Sequence, residues 1–428
     1  MADTFPPDKG RSAGTSRGGK SGKVADFRYK RPFQPDDKAT RERGPHSRSN
    51  GGSGHSDQVR SRTQNSSANA SCATSERSPR NYAPRKGEAY AALDLGTNNC
   101  RLLIARPSGK DFTVIDAFSR VVKLGEDLAT TGRLSDEAMD RALGALSICA
   151  DKLRRRNVRL ARSVATEACR RAANGPDFIE RVRRETGIAL DIITAEEEAR
   201  LAVLGCHILL EEGSGPAVIF DIGGGSTELV LLEPGGPSKG KIPRILDWQS
   251  VPWGVVSLTD TVATDGRTQD ERAQRYGEMR RLVSDSFAPF AGRIAEAARS
   301  ADIRLLGTSG TVTTLASLHL ELPHYDRKAV DGLIVPSAAM RAISGDLSTM
   351  SPERRSELPC IGQDRANLVV AGCAILESIL DLWPANRLGV ADRGIREGIL
   401  RSLMAAERQS ERALKSLQEA RAHEARQS

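Results

Sequence analysis

Two glycine-rich turns contain the residues of this chain whose types and spacing best suit phosphate chemistry. One reads DLGTNN and starts at Asp94, and the other reads DIGGGSTE and starts at Asp221. Glycine has no side chain and tolerates positive φ, so backbone N–H groups in such turns can crowd an anion, and Thr, Ser and Asn side chains add donors. The residues predicted to bind phosphate here are Asp94, Gly96, Thr97, Asn98, Asp221, Gly223, Gly224, Gly225, Ser226 and Thr227.

Apolar residues flank both turns, which predicts that each turn joins two buried strands. Taken alone, either segment could also be a plain β-hairpin with a flexible turn. Together the two segments form a weak internal repeat, which favours two α/β domains that face each other across a cleft. Asp94 and Asp221 each end the first strand of their hairpin, where a carboxylate can hold a hydrated Mg²⁺ ion through its waters.

Several acidic residues could activate water for hydrolysis, which needs a carboxylate beside the phosphoryl group. Glu167 lies at a predicted junction between a strand and a helix, and Arg170 would share its helix face. Glu196, Glu197 and Glu198 open the next predicted helix. Acidic side chains in a first helical turn are also explained by the helix dipole alone, so both interpretations stay open for these residues.

A third turn, GTSGT at 307–311, follows an apolar strand and precedes a predicted helix. Its residues Gly307, Ser309, Gly310 and Thr311 are candidates for a further ligand contact along the cleft. The alternative is an ordinary strand–helix turn in which Thr308 or Ser309 caps the helix.

The charge of the chain is concentrated at its start. Residues 1–88 contain 18 Lys and Arg against 9 Asp and Glu, whereas the remaining 340 contain 45 against 46. These first 88 residues are rich in Gly, Ser, Arg, Asn and Pro and offer little apolar surface to bury, so we expect a disordered tail. The basic tail would contact polyanions weakly, or it is a dispensable solvated extension.

Composition also limits the class of protein. The chain has 428 residues, 39% of them hydrophobic, which is enough for two or three domains. It has no apolar stretch of about 20 residues and no apolar signal region at its N-terminus, so we expect neither a membrane span nor secretion. The seven cysteines are scattered without a C-x-x-C pair, which favours buried thiols in a reducing cytoplasm over disulfides or a zinc site.

The apolar periodicity predicts the element order β-β-β-α-β-α-β-α, which then restarts at the second turn. A helix is expected over 134–153 with Ser135 as its N-cap. The predicted domains are a tail at 1–88, a first α/β domain at 89–213, a second at 214–400 and a charged C-terminal helix at 401–428.

These motifs resemble the exopolyphosphatase / guanosine pentaphosphate phosphohydrolase family. Besides the two turns, the resemblance rests on VATEA at 164–168 with Arg170, EEEAR at 196–200, GTSGT at 307–311 and RGIREG at 393–398. It covers roughly 89–400 and implies an actin-like two-domain α/β fold, dependence on Mg²⁺ and a homodimer. The chain resembles the short form of the family, because it has no His-Asp doublet and little sequence after residue 400. Lys123 stands where the family pattern leads us to expect Arg, and Lys loses the bidentate phosphate geometry.

The resemblance also assigns roles. It implies that Glu167 is the catalytic base and that Glu197 or Glu198 is a partner of water or metal. Arg170 is a further candidate for contact with phosphate. In the wider superfamily a turn like that at 307–311 meets the nucleotide, so here it could position a nucleotide or a polyphosphate chain further along the cleft. The function implied is release of terminal orthophosphate from polyphosphate, conversion of pppGpp to ppGpp, or both. A guanosine-polyphosphate sensor with little catalysis and an actin-like-fold kinase are the alternatives.

Overall fold

The computed structural model describes residues 88–109, 111–233, 242–262, 266–299 and 302–427. The expected disordered tail, apart from Glu88, lies outside the described residues. No helix in the described part of the chain is long and apolar enough to cross a membrane.

The first half of the described chain builds a mixed five-stranded sheet. Its strand order is β3-β2-β1-β4-β5, with β1 antiparallel to β2 and parallel to β4. The strands are β1 (Ala89–Leu95), β2 (Asn99–Ser108), β3 (Asp111–Val121), β4 (Val158–Ala165) and β5 (Leu190–Ile192).

The second half repeats this arrangement in a six-stranded sheet of order β10-β11-β9-β6-β7-β8. Its first two strands again form an antiparallel hairpin, and β6 is parallel to β9. The expected internal repeat is therefore confirmed at the level of strand order. The strands are β6 (Ala217–Ile222), β7 (Thr227–Leu232), β8 (Ile245–Val251), β9 (Arg304–Thr308), β10 (Ile334–Pro336) and β11 (Arg387–Ala391).

Helices cover the faces of both sheets. Those that belong to the first half are α1 (Leu128–Thr131), α2 (Asp136–Arg155), α3 (Glu167–Arg171), α4 (Gly175–Thr186) and α5 (Ala195–Cys206). Those that follow are α6 (Val255–Thr261), α7 (Gln269–Arg293), α8 (Ala295–Ala298), α9 (Gly310–His319), α10 (Arg327–Val330), α11 (Ser337–Thr349), α12 (Pro352–Ser356), α13 (Leu368–Leu382) and α14 (Ile395–Gln427). Short 3₁₀ turns lie at His207–Leu209 and Gln363–Arg365.

The start of α2 is the one expected from the sequence. Ser135 has an extended backbone, and its side-chain oxygen accepts a hydrogen bond from the backbone N–H of Ala138 at 3.3 Å. Asp136 and Glu137 then occupy the first turn, where negative charge is favourable to the helix dipole. Capping and charge together explain why the helix begins at this point.

The last helix differs from the expected domain boundary. Helix α14 is continuous from Ile395 to Gln427, so the boundary predicted between 400 and 401 falls inside one helix. Its buried residues Ile399, Leu400 and Met404 pack with Tyr90 and Ala92 of β1, in the first sheet. This apolar contact was not visible in the sequence because the partner strand lies about 300 residues earlier.

Helix α5 lies against both α14 and the second sheet. Its residues Ala199 and Val203 join a cluster with Ile219 of β6, while α14 passes its other side. A Cβ placed on Gly398 would overlap the backbone carbonyl of Leu201 in α5. The two helices therefore cross at a point where only a glycine fits.

Candidate active site

A cavity lies between the two sheets and is lined by both glycine-rich turns. It encloses about 900 Å³ of space not filled by atoms, including its open mouth. The sequence-predicted residues that line it are Asp94, Gly96, Thr97, Asn98, Glu167, Glu198, Asp221, Gly223, Gly224, Gly225, Ser226, Ser309, Gly310 and Thr311. Most of the predicted site is thus brought together from segments that are far apart in the chain.

Hydrogen bonds fix the shape of each turn. In the first, the N–H of Gly96 donates to the carbonyl of Asn99 at 2.9 Å; in the second, the N–H of Gly223 donates to the carbonyl of Ser226 at 2.9 Å. The carbonyl of Gly224 accepts from the N–H of Val256 at 2.7 Å. Both turns are therefore closed in the same way, as expected for a repeated hairpin.

The two turns touch each other across the cavity. A Cβ on Gly224 would lie 2.9 Å from the Cβ of Thr97 and 3.1 Å from the backbone nitrogen of Asn98. A Cβ on Gly225 would overlap the carboxylate of Glu167. Both positions need glycine because the opposite turn or Glu167 already occupies the space that a side chain would take.

Glu167 is held where the turns meet. Only 5% of the residue is exposed, and Thr97 Oγ1 donates to its Oε2 at 3.1 Å. Arg171 Nη1 donates to its Oε1 at 3.0 Å. The expected neighbour Arg170 is not its partner, because the five-residue helix α3 places position i+4 against Glu167. The carboxylate therefore contacts residues of both turns, Thr97 in the first and Gly225 in the second.

Arg170 pairs with Glu198 instead and lies outside the cavity lining. Its Nη1 donates to Glu198 Oε2 at 3.1 Å and to the carbonyl of Ile193 at 2.9 Å. The pKa of Glu198 is raised well above its usual value, first because the residue is buried and second because Glu228 is near. Arg170 therefore orients Glu198, whose carboxylate lines the cavity. Arg170 does not line the cavity itself, so its position does not support the expected direct contact with phosphate.

Glu197 also lies outside the cavity lining. Arg200 Nε donates to its Oε2 at 2.7 Å, and Arg162 Nη1 donates to its Oε1 at 2.9 Å. The hydrogen bond from Arg200 contributes most to a lowered pKa of Glu197. Because successive helical residues point about 100° apart, only Glu198 of the two faces the cavity.

Two further residues predicted to bind a ligand make contacts within the fold instead. Thr227 Oγ1 donates to the carbonyl of Trp253 at 2.6 Å, and the residue is fully buried. Gly307 lies in β9, where a Cβ would come within 2.6 Å of the Phe220 ring. Neither residue lines the cavity, so the structure gives both a role in the fold.

Buried carboxylates cluster beneath the turns. The Oδ1 atom of Asp94 is buried and has no hydrogen-bond partner in the described part of the chain. Burial raises the pKa of Asp94, and the nearby Arg101 opposes that rise. Burial, followed by the nearby charge of Glu228, raises the pKa of Asp221 to about 7. A cation placed next to these carboxyls would lower both pKa values.

Glu228 lines the cavity but is not among the site residues predicted from the sequence. It is 2% exposed, lies directly opposite Asp221 in the β6–β7 register, and lines the cavity. Ser226 Oγ and Ser250 Oγ donate to its Oε1 at 2.7 and 2.8 Å. The available signal was a lone acidic residue within the otherwise apolar strand TELVLL. Arg101 and Arg365 also line the cavity and were not selected.

The described residues do not form a complete metal cage. Nowhere among them do three or more His, Cys, Asp or Glu side chains come together in a group that could hold a metal ion. Mg²⁺ usually keeps several waters and takes one or two protein carboxylates, and Asp94 and Asp221 are the residues of this site that could supply them.

Comparison with known proteins identifies the family of this chain. Residues 103–407 match the family model of the Ppx/GppA phosphatase family. Exopolyphosphatase 2 of Mycobacterium tuberculosis is 30% identical over 330 residues, which are 73% of this chain and 98% of that protein.

Solved structures match over the same part of the chain. The Aquifex aeolicus PPX-GPPA enzyme is 29% identical with a TM-score of 0.60, and the match covers 74% of this chain and 99% of that one. An exopolyphosphatase from Cytophaga hutchinsonii, 24% identical, has the same fold with a TM-score of 0.65 and covers 74% and 98%. The chain therefore belongs to the Ppx/GppA phosphatase family and has an actin-like two-domain α/β fold.

Proposed function

We propose that this protein is a Mg²⁺-dependent phosphohydrolase that releases terminal orthophosphate from inorganic polyphosphate, from pppGpp to yield ppGpp, or from both. The observation that carries the proposal is the meeting of two glycine-rich turns at the buried carboxylate of Glu167. The name of the Mycobacterium tuberculosis relative, an exopolyphosphatase, supports polyphosphate as a substrate.

In this proposal the turns bind the terminal phosphoryl group. The backbone N–H groups of Thr97 and Asn98 in the first turn and of Gly224 and Gly225 in the second would donate to its oxygens, which gain charge in the transition state. Glu167 would accept a proton from the attacking water, whose oxygen forms a bond to the terminal phosphorus. The bond from that phosphorus to the bridging oxygen breaks, and the shortened chain leaves with the bond's electron pair.

The chain's own carboxylates fit Mg²⁺. Asp94 has a buried oxygen without a partner, and Asp221 is a buried carboxyl beside Glu228, so a hard cation with oxygen ligands would satisfy both. When bound, Mg²⁺ would neutralise charge on the phosphate oxygens. The nearby charge of Glu228 would also attract a cation to Asp221.

The test is phosphate release from long-chain polyphosphate and from pppGpp at equal Mg²⁺ concentration, with an EDTA-treated sample beside each. We expect release from at least one substrate and none after EDTA treatment. Full activity after exhaustive chelation would refute the metal requirement. Tight binding of pppGpp without release would favour the sensor, and transfer of phosphate from ATP to a sugar would favour the kinase.

The proposal also includes the setting in which the enzyme works. We infer a cytoplasmic homodimer whose basic residues 1–88 contact polyanions weakly. The family resemblance supports the homodimer, and composition supports the location and the tail contact. Light scattering of the purified protein tests the dimer. Deletion of 1–88 should spare hydrolysis and should weaken capture of long chains mainly at low salt.

A further inference from the structure

Two buried thiols lie next to each other beneath the first glycine-rich turn and have no part in the proposed chemistry. Cys100 is the second residue of β2, and Cys149 lies in α2, which packs against the sheet in the same hydrophobic cluster. Their sulfur atoms are 3.9 Å apart, and neither residue is exposed. The other free thiols in the described part of the chain, none of which lies within hydrogen-bonding distance of a second sulfur, are Cys169, Cys206, Cys360 and Cys373.

The two sulfurs are in contact but not bonded. A disulfide bond is about 2.05 Å long, so they would have to approach each other by about 2 Å to form one. The backbone of Cys100 is held on both sides, because β2 pairs with β1 at Leu95 and with β3 at Arg120. The displacement would therefore fall on α2 and on the turn that precedes Cys100.

That turn is the first of the two glycine-rich turns. Asn99, directly before Cys100, lines the cavity, and its carbonyl accepts the N–H of Gly96 at 2.9 Å. The carbonyl of Asn98 accepts the N–H of Val122, just after β3, at 2.9 Å. Catalysis is sensitive to displacements of about 1 Å in the groups that hold a substrate. A bond that pulls on Cys100 would therefore move the backbone donors of this turn.

Burial determines when the thiols can react. The hydrogen bond with Cys149, followed by burial, raises the pKa of Cys100, so the folded protein contains little of the reactive thiolate. Oxidation therefore requires α2 to open locally from the sheet, which exposes both sulfurs to solvent. When α2 closes again, a sulfenic acid on one sulfur meets the thiol of the other at contact distance. A lone buried thiol has no such partner.

We propose that Cys100 and Cys149 are a modification site at which a hydroperoxide forms a disulfide, and that this disulfide inhibits the enzyme by displacing the first glycine-rich turn. The inhibition rests on the proposed hydrolytic function, whereas formation of the disulfide does not.

The chemistry has two steps. The thiolate of one cysteine attacks the O–O bond of hydrogen peroxide, takes one oxygen as a sulfenic acid and releases hydroxide, which is protonated to water. The second thiol then attacks that sulfur, forms the S–S bond and displaces the oxygen as a second water. Two electrons pass from the sulfurs to the peroxide oxygens, and the two thiol protons end in the two water molecules.

The test treats the reduced full-length protein with hydrogen peroxide and maps disulfide-linked peptides by mass spectrometry without reduction. We expect a linked Cys100–Cys149 peptide to appear while kcat/KM for phosphate release falls by about tenfold or more, the cost of misplacing donors by about 1 Å. Dithiothreitol should reverse both changes. Absence of the linked peptide at peroxide concentrations that oxidise the partly exposed Cys360 would overturn the modification site. A linked peptide with unchanged kcat/KM would overturn the inhibition.

Cys149→Ala removes one sulfur of the pair, and Cys149→Ser repeats the comparison if the alanine variant does not fold. Cys373→Ala is the matched control, because it makes the same change in a fully buried thiol of α13. After peroxide, Cys373→Ala should lose activity as the parent does, whereas Cys149→Ala should stay within about twofold of its untreated activity, since its remaining buried thiol has no partner. A loss in Cys149→Ala equal to that of the parent would come from another thiol and would refute the proposal.

Readouts without turnover separate this proposal from the proposed function. If the reduced parent hydrolyses neither polyphosphate nor pppGpp, the proposed function fails, while the linked peptide still supports the modification site. Equilibrium binding of long-chain polyphosphate to the reduced and the oxidised protein then tests the turn. Weaker binding after oxidation supports its displacement, and equal binding refutes it.

Discussion

The two hairpin turns of this protein share one backbone design but differ in charge. In the first, Asp94 lies opposite Arg101 across the β1–β2 pair; in the second, Asp221 lies opposite Glu228 across β6–β7. Burial raises the pKa of both aspartates, but Arg101 opposes the rise at Asp94 while Glu228 adds to it at Asp221. The same fold element therefore places a partner that opposes the rise in pKa at Asp94 and a partner that adds to it at Asp221.

The turns also differ in the space around their glycines. A Cβ on Gly96 would have the Asn99 carbonyl as its nearest neighbour, at 3.5 Å, which is ordinary contact. A Cβ on Gly224 would press on Thr97 and Asn98 of the opposite turn. The second turn thus packs its glycine closely against the first turn, and the predictions below probe this contrast in charge and space.

The largest effect is expected at Glu167, where the turns meet. Glu167→Gln keeps the size of the side chain but cannot accept a proton at neutral pH, so kcat should fall by about 10²–10⁴-fold with little change in KM. Phosphate release at saturating substrate measures this.

Glu197→Gln is the control for that experiment. It is the same chemical change in a residue that pairs with Arg162 and Arg200 outside the cavity, and it should stay within about threefold of the parent, far from the loss of a base. If Glu167→Gln also stays within about threefold, Glu167 is a structural residue, worth about 0.3–1 kcal/mol to its helix.

The second effect compares glycines. Gly224→Ala should raise KM about tenfold or more, because overpacking of about 1–3 kcal/mol would hold the two turns apart. Gly96→Ala should cost clearly less, since its Cβ meets no close neighbour in the opposite turn. Steady-state kinetics on one substrate gives both values, and equal losses would remove the spatial contrast between the turns.

The third effect is the pH dependence of Mg²⁺ binding. Asp221 has a pKa of about 7, so below that pH Mg²⁺ must displace a proton, and affinity should fall by up to about tenfold per pH unit. This pH dependence of Mg²⁺ affinity is measured as the rise in melting temperature that Mg²⁺ causes at pH 6, 7 and 8.

Asparagine variants of the two aspartates separate their contributions to Mg²⁺ binding. Asp221→Asn should flatten the pH dependence, whereas Asp94→Asn should weaken binding and keep the slope. In the metal-free protein, the raised pKa of Asp221 means that its contribution to the free energy of unfolding is greatest in acid and is lost as pH rises to about 7. A pH-independent Mg²⁺ response in the parent would contradict the assignment.

The smallest effect tests the two partners of the aspartates. Glu228→Gln removes a buried negative charge beside Asp221 and can still accept from Ser226 and Ser250. At pH 8 in EDTA it should raise the free energy of unfolding by about 1 kcal/mol. Arg101→Met should lower it by a similar amount, because it leaves Asp94 uncompensated. Urea denaturation measures both, and changes of the same sign would show that charge is not what distinguishes the turns.

Local features of the molecule were predictable because they depend on neighbours in the chain. Alternating and continuous apolar runs predicted the hairpins, and Ser135 with two acidic residues predicted the start of α2. The repeat of strand, Asp-x-Gly turn and strand predicted two sheets built alike. The return of α14 to β1 was not predictable, since an amphipathic helix does not specify which of two sheets it covers.

The sequence by itself determined which residue types could do phosphate chemistry: two glycine-rich turns, a carboxylate at each, and Glu167 at a strand end. Only the tertiary structure decided which of them act together. It paired Glu167 with Arg171, turned Glu198 toward the cavity and Glu197 away, and brought Glu228 and Arg365 to its wall. The physical reason is that burial and the distances between charges, which govern pKa values and binding, are set by packing between segments far apart in the chain.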